Sequence, residues 1–426
     1  MIFNQNNGEQ ITLHEGLQIA IDLCLERIRE NYQETPIPYM ISGPGAGKTK
    51  LSNEIAKQNN CGFMSITMGL KTYDEVSCLP YIHSNIDLNT NLANPSVEWI
   101  KAEFIDQIWK ESLKHKELLV LLDDYHLCSS EMQKIGNELF TYHALHGHKL
   151  PPNCAFFAAG NASTKSGANV ILSSIISRML PYNVYLDKKY WIENFAQHNG
   201  LNSTVLSFLS REVNTPYFFE PESNDPTGSP RTWSHLAHSL DVLSRRINFK
   251  KDFNTLRLIV SGCVSKIATK EFMDFYTIYS KVPVIDIYKT GEFLYPSEVE
   301  KYAFIIAITD HLISEIISFC ETTKMDSKAF PEETNKLKNT FTVYSKIIET
   351  YIKHSQNELS NLSLVNLFKH KYNFVKNEKS FSMADILFRL SKVNFISPHL
   401  FSNISNANKF KSEYIDSLSS ELKKIK

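Results

Sequence analysis

The stretch Ser42-Gly43-Pro44-Gly45-Ala46-Gly47-Lys48-Thr49 follows the apolar run Tyr39 to Ser42 and precedes a segment with apolar residues at Leu51, Ile55 and Ala56. Strand, glycine-rich turn and helix, in that order, form the context in which a backbone loop wraps phosphate groups. Glycines allow close approach, and backbone amides at the helix N-terminus attract negative charge. Lys48 is expected to reach the outer phosphates from a solvent-open position, and the Thr49 hydroxyl to hold Mg²⁺. A nucleotide polyphosphate with Mg²⁺ is therefore expected, and the resemblance given below makes it ATP. The strict spacing wants glycine where Ser42 stands, with Gly43 one step later. A ligand-free glycine turn is the bland alternative, and the agreement of Gly47-Lys48-Thr49 with both flanking elements weighs against it.

A phosphate loop alone does not separate kinases, GTPases and motor ATPases. The run Leu118-Leu119-Val120-Leu121-Leu122-Asp123-Asp124 is an apolar strand ending in two acids, at the strand edge where ligands of parallel sheets bind. Asp123 is expected to hold the Mg²⁺ shell and Asp124 to orient an attacking water. The competing reading makes these acids a loop start or a cap for the helix after Ser129 and Ser130. A further apolar strand, Cys154 to Gly160, ends in Asn161, whose amide suits a γ-phosphate or a lytic water. Gly-Asn is also a common turn pair.

Working outward, residues 9 to 35 carry apolar positions at helical spacing (Leu13, Leu17, Ile19, Ala20, Leu23, Ile28), and Pro36 and Pro38 end that helix. Expected strands are Tyr39 to Ser42, Gly62 to Met68, Leu118 to Asp123, Cys154 to Gly160 and Tyr182 to Leu186, alternating with amphipathic stretches. That alternation predicts an α/β fold with a parallel sheet between helices. The expected domains are an α/β nucleotide-binding domain over 1–188, a helical lid over 189–299 and a C-terminal helical domain over 300–426.

Acids and bases nearly balance at a formal charge of −1, which removes a chain-wide pull toward nucleic acid and leaves only a local basic groove open. Seven scattered cysteines without a CxxC pair fit a reducing cytosol, and no secretory leader is visible, so a cytoplasmic location is expected. The apolar run Phe304 to Ile317 is interrupted by Asp310, His311 and Glu315 and is too short to span a bilayer, so no membrane partner is expected. Lysine outnumbers arginine 36 to 9, and no arginine occurs between Arg29 and Arg178.

The phosphate loop, Asp123-Asp124, Asn161, Ser177-Arg178 and Ser229-Pro230-Arg231-Thr232-Trp233, in this order, resemble the AAA+ superfamily, and within it the MoxR-like ATPases, especially bacteriophage versions. Tyr73 to Pro80, Gly147 to Pro151 and Gly262-Cys263-Val264 agree as well, and the resemblance covers roughly residues 35 to 285. It implies an AAA+ large domain with a lid, Asn161 as sensor 1, Arg178 as an arginine finger reaching a neighbour's γ-phosphate, and Arg231 as sensor 2. It implies ATP hydrolysis, a homo-oligomer in the form of a hexameric ring, and remodelling of a partner protein, one with a von Willebrand factor A domain among the options. With the Lys- and Asn-rich composition it suggests a phage gene expressed in a bacterial host cytoplasm. A nucleic-acid motor or clamp-loader-like ATPase, a non-hydrolysing nucleotide-binding scaffold and a P-loop kinase are the other readings.

His126, His143, His146 and His148 fit no zinc spacing and are expected as exposed hairpin histidines. Tyr217-Phe218-Phe219 is expected in the lid core, and Lys423-Lys424-Ile425-Lys426 as a solvated end. The family usually has glutamate where Asp124 stands; aspartate is about one methylene shorter, so turnover is expected to be slow. Asp124→Asn should trap an ATP-bound state and Asp124→Glu should restore or raise turnover; steady-state ATPase rates for the two variants check this, and wild-type rates for both would return Asp124 to a structural cap.

Overall fold

In the computed structural model, residues 11–30, 35–86, 93–161, 169–197, 199–211, 218–219, 226–294, 296–297, 300–325, 330–354, 357–368, 370, 372–376 and 379–392 are described. Tyr217 and Lys423 to Lys426 lie outside them. The chain divides into two compact units, one holding 1–187 with 219–224 and 229–231, the other 188–218 with 225–228 and 232–426.

The first unit runs β1 (Ile11–Thr12), α1 (Leu13–Glu30), β2 (Ile37–Ser42), α2 (Lys48–Gln58), β3 (Gly62–Thr67), α3 (Tyr73–Val76), β4 (Leu79–Ile86), β5 (Ala93–Ile100), α4 (Glu103–Ser112), β6 (Leu118–Asp123), α5 (Ser130–Tyr142), β7 (Ala144–Leu145), β8 (His148–Lys149), β9 (Cys154–Asn161), α6 (Ser173–Ile176) and β10 (Met179–Tyr185). Its sheet has the order β1-β10-β2-β9-β6-β3, and every pair is parallel. Residues of the central strands β2, β6 and β9 are buried on both faces, as their uninterrupted apolar runs require of a parallel sheet. Alternation then sorts them: Leu118, Val120 and Leu122 join one core with α4 and α5, while Leu119 and Leu121 join another with α1 and α2. The first unit is thus a parallel sheet between helices that bears the glycine loop, and a helical region follows it in the chain.

The expected strands all exist with ends shifted by up to three residues, the largest shift being β10, which begins at Met179. The antiparallel hairpin β4–β5 had no sequence expectation. Its residues Tyr81, Ile82 and Val97 are exposed, so neither of its faces produces the apolar alternation of a half-buried strand. In α1 the buried stripe is Leu13, Leu17, Ala20, Ile21 and Cys24, and Ile19 is exposed.

The second unit contains α7 (Lys188–Trp191), α8 (Ser203–Ser210), most of α9 (Pro230–Leu243), α10 (Phe253–Cys263), α11 (Lys266–Lys281), α12 (Val284–Thr290), α13 (Lys301–Thr323), α14 (Pro331–Lys353), α15 (Asn357–Phe368), a hairpin of β11 (Asn373–Lys376) with β12 (Lys379–Ser382), and α16 (Met383–Lys392). Helix α13 packs on α8 and α11 as well as on α14 and α15, so the ranges 189–299 and 300–426 fall together in one compact unit. At 23 residues, α13 is longer than the apolar run in the sequence and is long and apolar enough to cross a membrane by length and composition; 67% of its apolar window is buried against its neighbours, as in a core helix.

Asp310 interrupts the apolar run of that helix for a reason visible in the packing. Its carboxylate accepts hydrogen bonds from Tyr279 Oη at 2.7 Å and Ser203 Oγ at 2.9 Å, tying α13 to α11 and α8. Loss of water pushes the Asp310 carboxyl up from 3.8 to about 6, against the pull of these two hydrogen bonds and Lys250, with Asp241 adding to the rise. A raised carboxyl favours the protonated folded state, so its contribution is full below pH 3.8 and is lost as pH rises through about 6. Asp310→Asn should therefore be more stable than wild type at pH 7 by about 1–2 kcal/mol after allowance for partial exposure, seen as a higher thermal midpoint. The gain should vanish near pH 4; thermal melts of both proteins across pH 4 to 8 are the check.

Candidate functional site

The glycine loop closes because Gly45 and Gly47 adopt left-handed backbone, at φ 74° and 91°, which side-chain-bearing residues take only under strain. Gly47 is the N-cap of α2 and supplies no side-chain cap, so the first-turn amides keep their capacity to bind an anion. Parallel pairing of β2 with β9 sets Ser42 opposite Asn161. Across that register the Lys48 ammonium donates to Asn161 Oδ1 at 2.9 Å and Ser42 Oγ at 3.0 Å. Lys48 is thus 7% exposed, held inside the loop rather than standing in open solvent. Ser42, at the position where the strict pattern wants glycine, is buried and supplies a hydroxyl contact that glycine could not make.

Thr49 Oγ1 donates to Asp123 Oδ2, and the Asp124 amide donates to Asp123 Oδ1 at 3.0 Å. Both oxygens of Asp123 are oriented, beside the hydroxyl expected to share a metal. Oxygen donors of this kind suit a hard divalent cation such as Mg²⁺, and the α2 N-terminus with Lys48 suits a polyphosphate. Asp124 does not cap the following helix: Ser129 caps α5, its Oγ accepting from the Met132 amide at 3.3 Å. The half-buried Asp124 sits in left-handed backbone at φ 53°. Asn161 is the last strand residue of β9 and not part of a Gly-Asn turn.

Arg178 lies elsewhere. It precedes β10, whose Met179 pairs with Ile37 at the start of β2, whereas the loop begins after Ser42. Five residues of strand separate the two levels, about 17 Å at 3.3 Å per residue. The guanidinium donates to Thr141 Oγ1 at 2.7 Å and to the Ser174 carbonyl at 2.5 Å, the second being a helix-end contact. Arg231 is exposed and adjoins the loop from the first turn of α9. A Cβ added at Gly45 would meet Ser229 Oγ at 2.8 Å and Arg231 Cβ at 3.5 Å. Trp233, two residues on, is fully buried.

Three neighbours of the site carry no motif. Phe219 Cζ would lie 2.5 Å from a Cβ at Gly43, and Tyr39 Oη 2.4 Å from one at Gly160. Tyr125, directly after Asp124, packs against Tyr39. Burial raises both phenols, so they stay protonated at neutral pH. Only their unusual neighbours, glycines inside otherwise regular strands and helices, signal them in sequence.

Of the histidines expected as exposed hairpin rings, His146 and His148 lie on the β7–β8 hairpin but are half-buried, and the others are more enclosed. His126 is buried, His143 Nε2 meets the Pro151 carbonyl at 2.9 Å, and His146 stacks on Trp99 at 4.0 Å. Each ring is absorbed by local packing. Among the described residues no group of three His, Cys, Asp or Glu side chains could hold a metal.

No protein-family model matches the chain, and no curated protein matches it. Similar solved structures include the RuvB Holliday junction branch migration motor of Thermotoga maritima, 10% identical with a TM-score of 0.31, covering 90% of this chain and 95% of that one. NtrX of Brucella abortus in complex with ADP is 13% identical with a TM-score of 0.32, covering 75% of this chain and 68% of its own.

Lys48→Ala should weaken ATP binding about tenfold to a hundredfold, the cost of one charge-assisted contact, while leaving the fold intact. Titration with labelled ATP measures it, and wild-type affinity would refute the phosphate-loop assignment.

Proposed function

We propose that this chain binds Mg-ATP in the glycine loop and hydrolyses it in an oligomer whose neighbouring subunits complete each other's sites. The observation that carries this reading is the single cluster formed by Ser42, Lys48, Thr49, Asp123 and Asn161, with Lys48 bridging β2 and β9. Lys48 and the α2 amides hold the phosphates, Thr49 and Asp123 hold Mg²⁺, and Asp124 orients water. Asn161 meets the γ-phosphate once Lys48 turns to the nucleotide, and Arg231 reaches in from the start of α9. Arg178 lies at the opposite end of the strands from its own loop, and in this reading it serves a neighbour's site. Guanidinium suits that role because it stays charged and offers a fork of donors to the transferred phosphoryl group.

At the finer level, the reading is a MoxR-like AAA+ ring that remodels a partner protein, von Willebrand factor A domains being one option, in a phage-infected bacterial cytoplasm. Its support is the residue-level resemblance and the composition. A second reading, a nucleic-acid motor, has one observation in its favour: Arg245, Arg246, Lys250, Lys251 and Arg257 are all exposed within a short stretch of a chain whose formal charge is −1. Stimulation of ATPase activity by DNA or RNA, falling with salt, would favour that second reading.

Arg178→Ala should bind ATP nearly as wild type yet hydrolyse it poorly, because a contact made in the transition state is removed. Mixed with Lys48→Ala chains, it should regain activity, since some sites then combine an intact loop with a neighbour's intact Arg178. ATPase assays on mixtures shown to exchange subunits decide this; no recovery would return Arg178 to a helix-end arginine.

A further inference from the structure

We infer that Tyr39 is a positioning residue for hydrolysis, its ring bracing together the two strand ends that carry Asn161 and Asp124; the inference rests on the ATPase reading above. Tyr39 lies on β2, three residues before Ser42, and is 2% exposed. Its side chain runs along the sheet over Gly160, the residue before Asn161. A Cβ there would lie 2.4 Å from Tyr39 Oη and 3.1 Å from its Cε2 and Cζ, so the ring occupies the space that any other residue at 160 would need. On its other side the ring meets Tyr125 edge-on, with centroids 6.2 Å apart at 70°. Tyr125 directly follows Asp124 and is itself seated in a notch, its hydroxyl 2.8 Å from where a Cβ at Gly136 of α5 would stand.

One rigid ring therefore touches the neighbour of the expected γ-phosphate sensor and the neighbour of the expected water-orienting acid. Aromatic rings have few rotamers, and a close-packed interior transmits a displacement rather than absorbing it. Shifting Tyr39 should move Asn161 and Asp124 relative to the phosphates while Lys48 and Thr49 stay in place. A misplacement of about 1 Å between reacting groups can cost about a hundredfold in rate. A residue that served the core alone would alter stability without separating binding from turnover.

The test compares Gly160→Ala, Tyr39→Leu, Tyr39→Phe and the double variant Gly160→Ala/Tyr39→Leu by labelled-ATP affinity, kcat and thermal midpoint. Gly160→Ala and Tyr39→Leu should bind ATP within about threefold of wild type and lose about tenfold or more in kcat. Tyr39→Phe keeps the ring and should stay within about twofold of wild-type kcat. The double variant should be no slower than Tyr39→Leu, because the added methyl no longer meets a ring. If Gly160→Ala does not fold, the contrast between Tyr39→Leu and Tyr39→Phe carries the test. Unchanged kcat in the folded Tyr39→Leu protein, or equal losses in affinity and kcat, overturns the inference alone. A wild type that fails to hydrolyse ATP overturns the ATPase reading and this inference with it.

Discussion

The register between β2 and β9 is the constraint on which the site depends. Side chains on a strand alternate faces, so a slip of one residue would turn Asn161 to the opposite side of the sheet from Lys48. The observed pairing, Tyr39 with Ala158 through Ser42 with Asn161, is locked by burial on both faces of both strands. Buried apolar side chains thus fix the register of a polar arrangement. Lys48 can then satisfy its ammonium with two partners while lying almost wholly out of water, which an isolated buried cation could not do without a large cost.

Much of the first unit was legible because its signals are local. Parallel strands buried on two faces appear in sequence as unbroken apolar runs, and a glycine loop between strand and helix has few other uses. The strand-end positions of Asp123 and Asn161 were legible because each ends such a run. The environment of Lys48 was not legible, since Ser42 and Asn161 approach it only through strand pairing. Tyr39 and Phe219 were likewise missed: their significance lies in glycines distant in sequence, and an apolar residue in an apolar run announces nothing but the core.

The second unit shows the opposite balance. Helical periodicity was visible after residue 189, yet the grouping of both helical ranges depends on α13 packing against α8, α11, α14 and α15 together. A helix apolar nearly all round has no single face to read, so its partners cannot be deduced from its own residues. The β11–β12 hairpin is short and lies between helices, and four-residue strands leave too little pattern to register.

The left-handed backbone at Asp124 bears on why a short acid stands at the end of β6. Here any Cβ meets the following carbonyl at a cost of about 1–2 kcal/mol, and aspartate and asparagine enter the region most readily because their short polar side chains can hydrogen-bond locally. Reach and backbone shape therefore pull in opposite directions at this position. A longer acid has more reach but lacks that local relief at the turn into Tyr125, while aspartate fits the turn and gives up a methylene of reach. The residue at 124 is, on this view, a choice made by the main chain before it is one made by the chemistry.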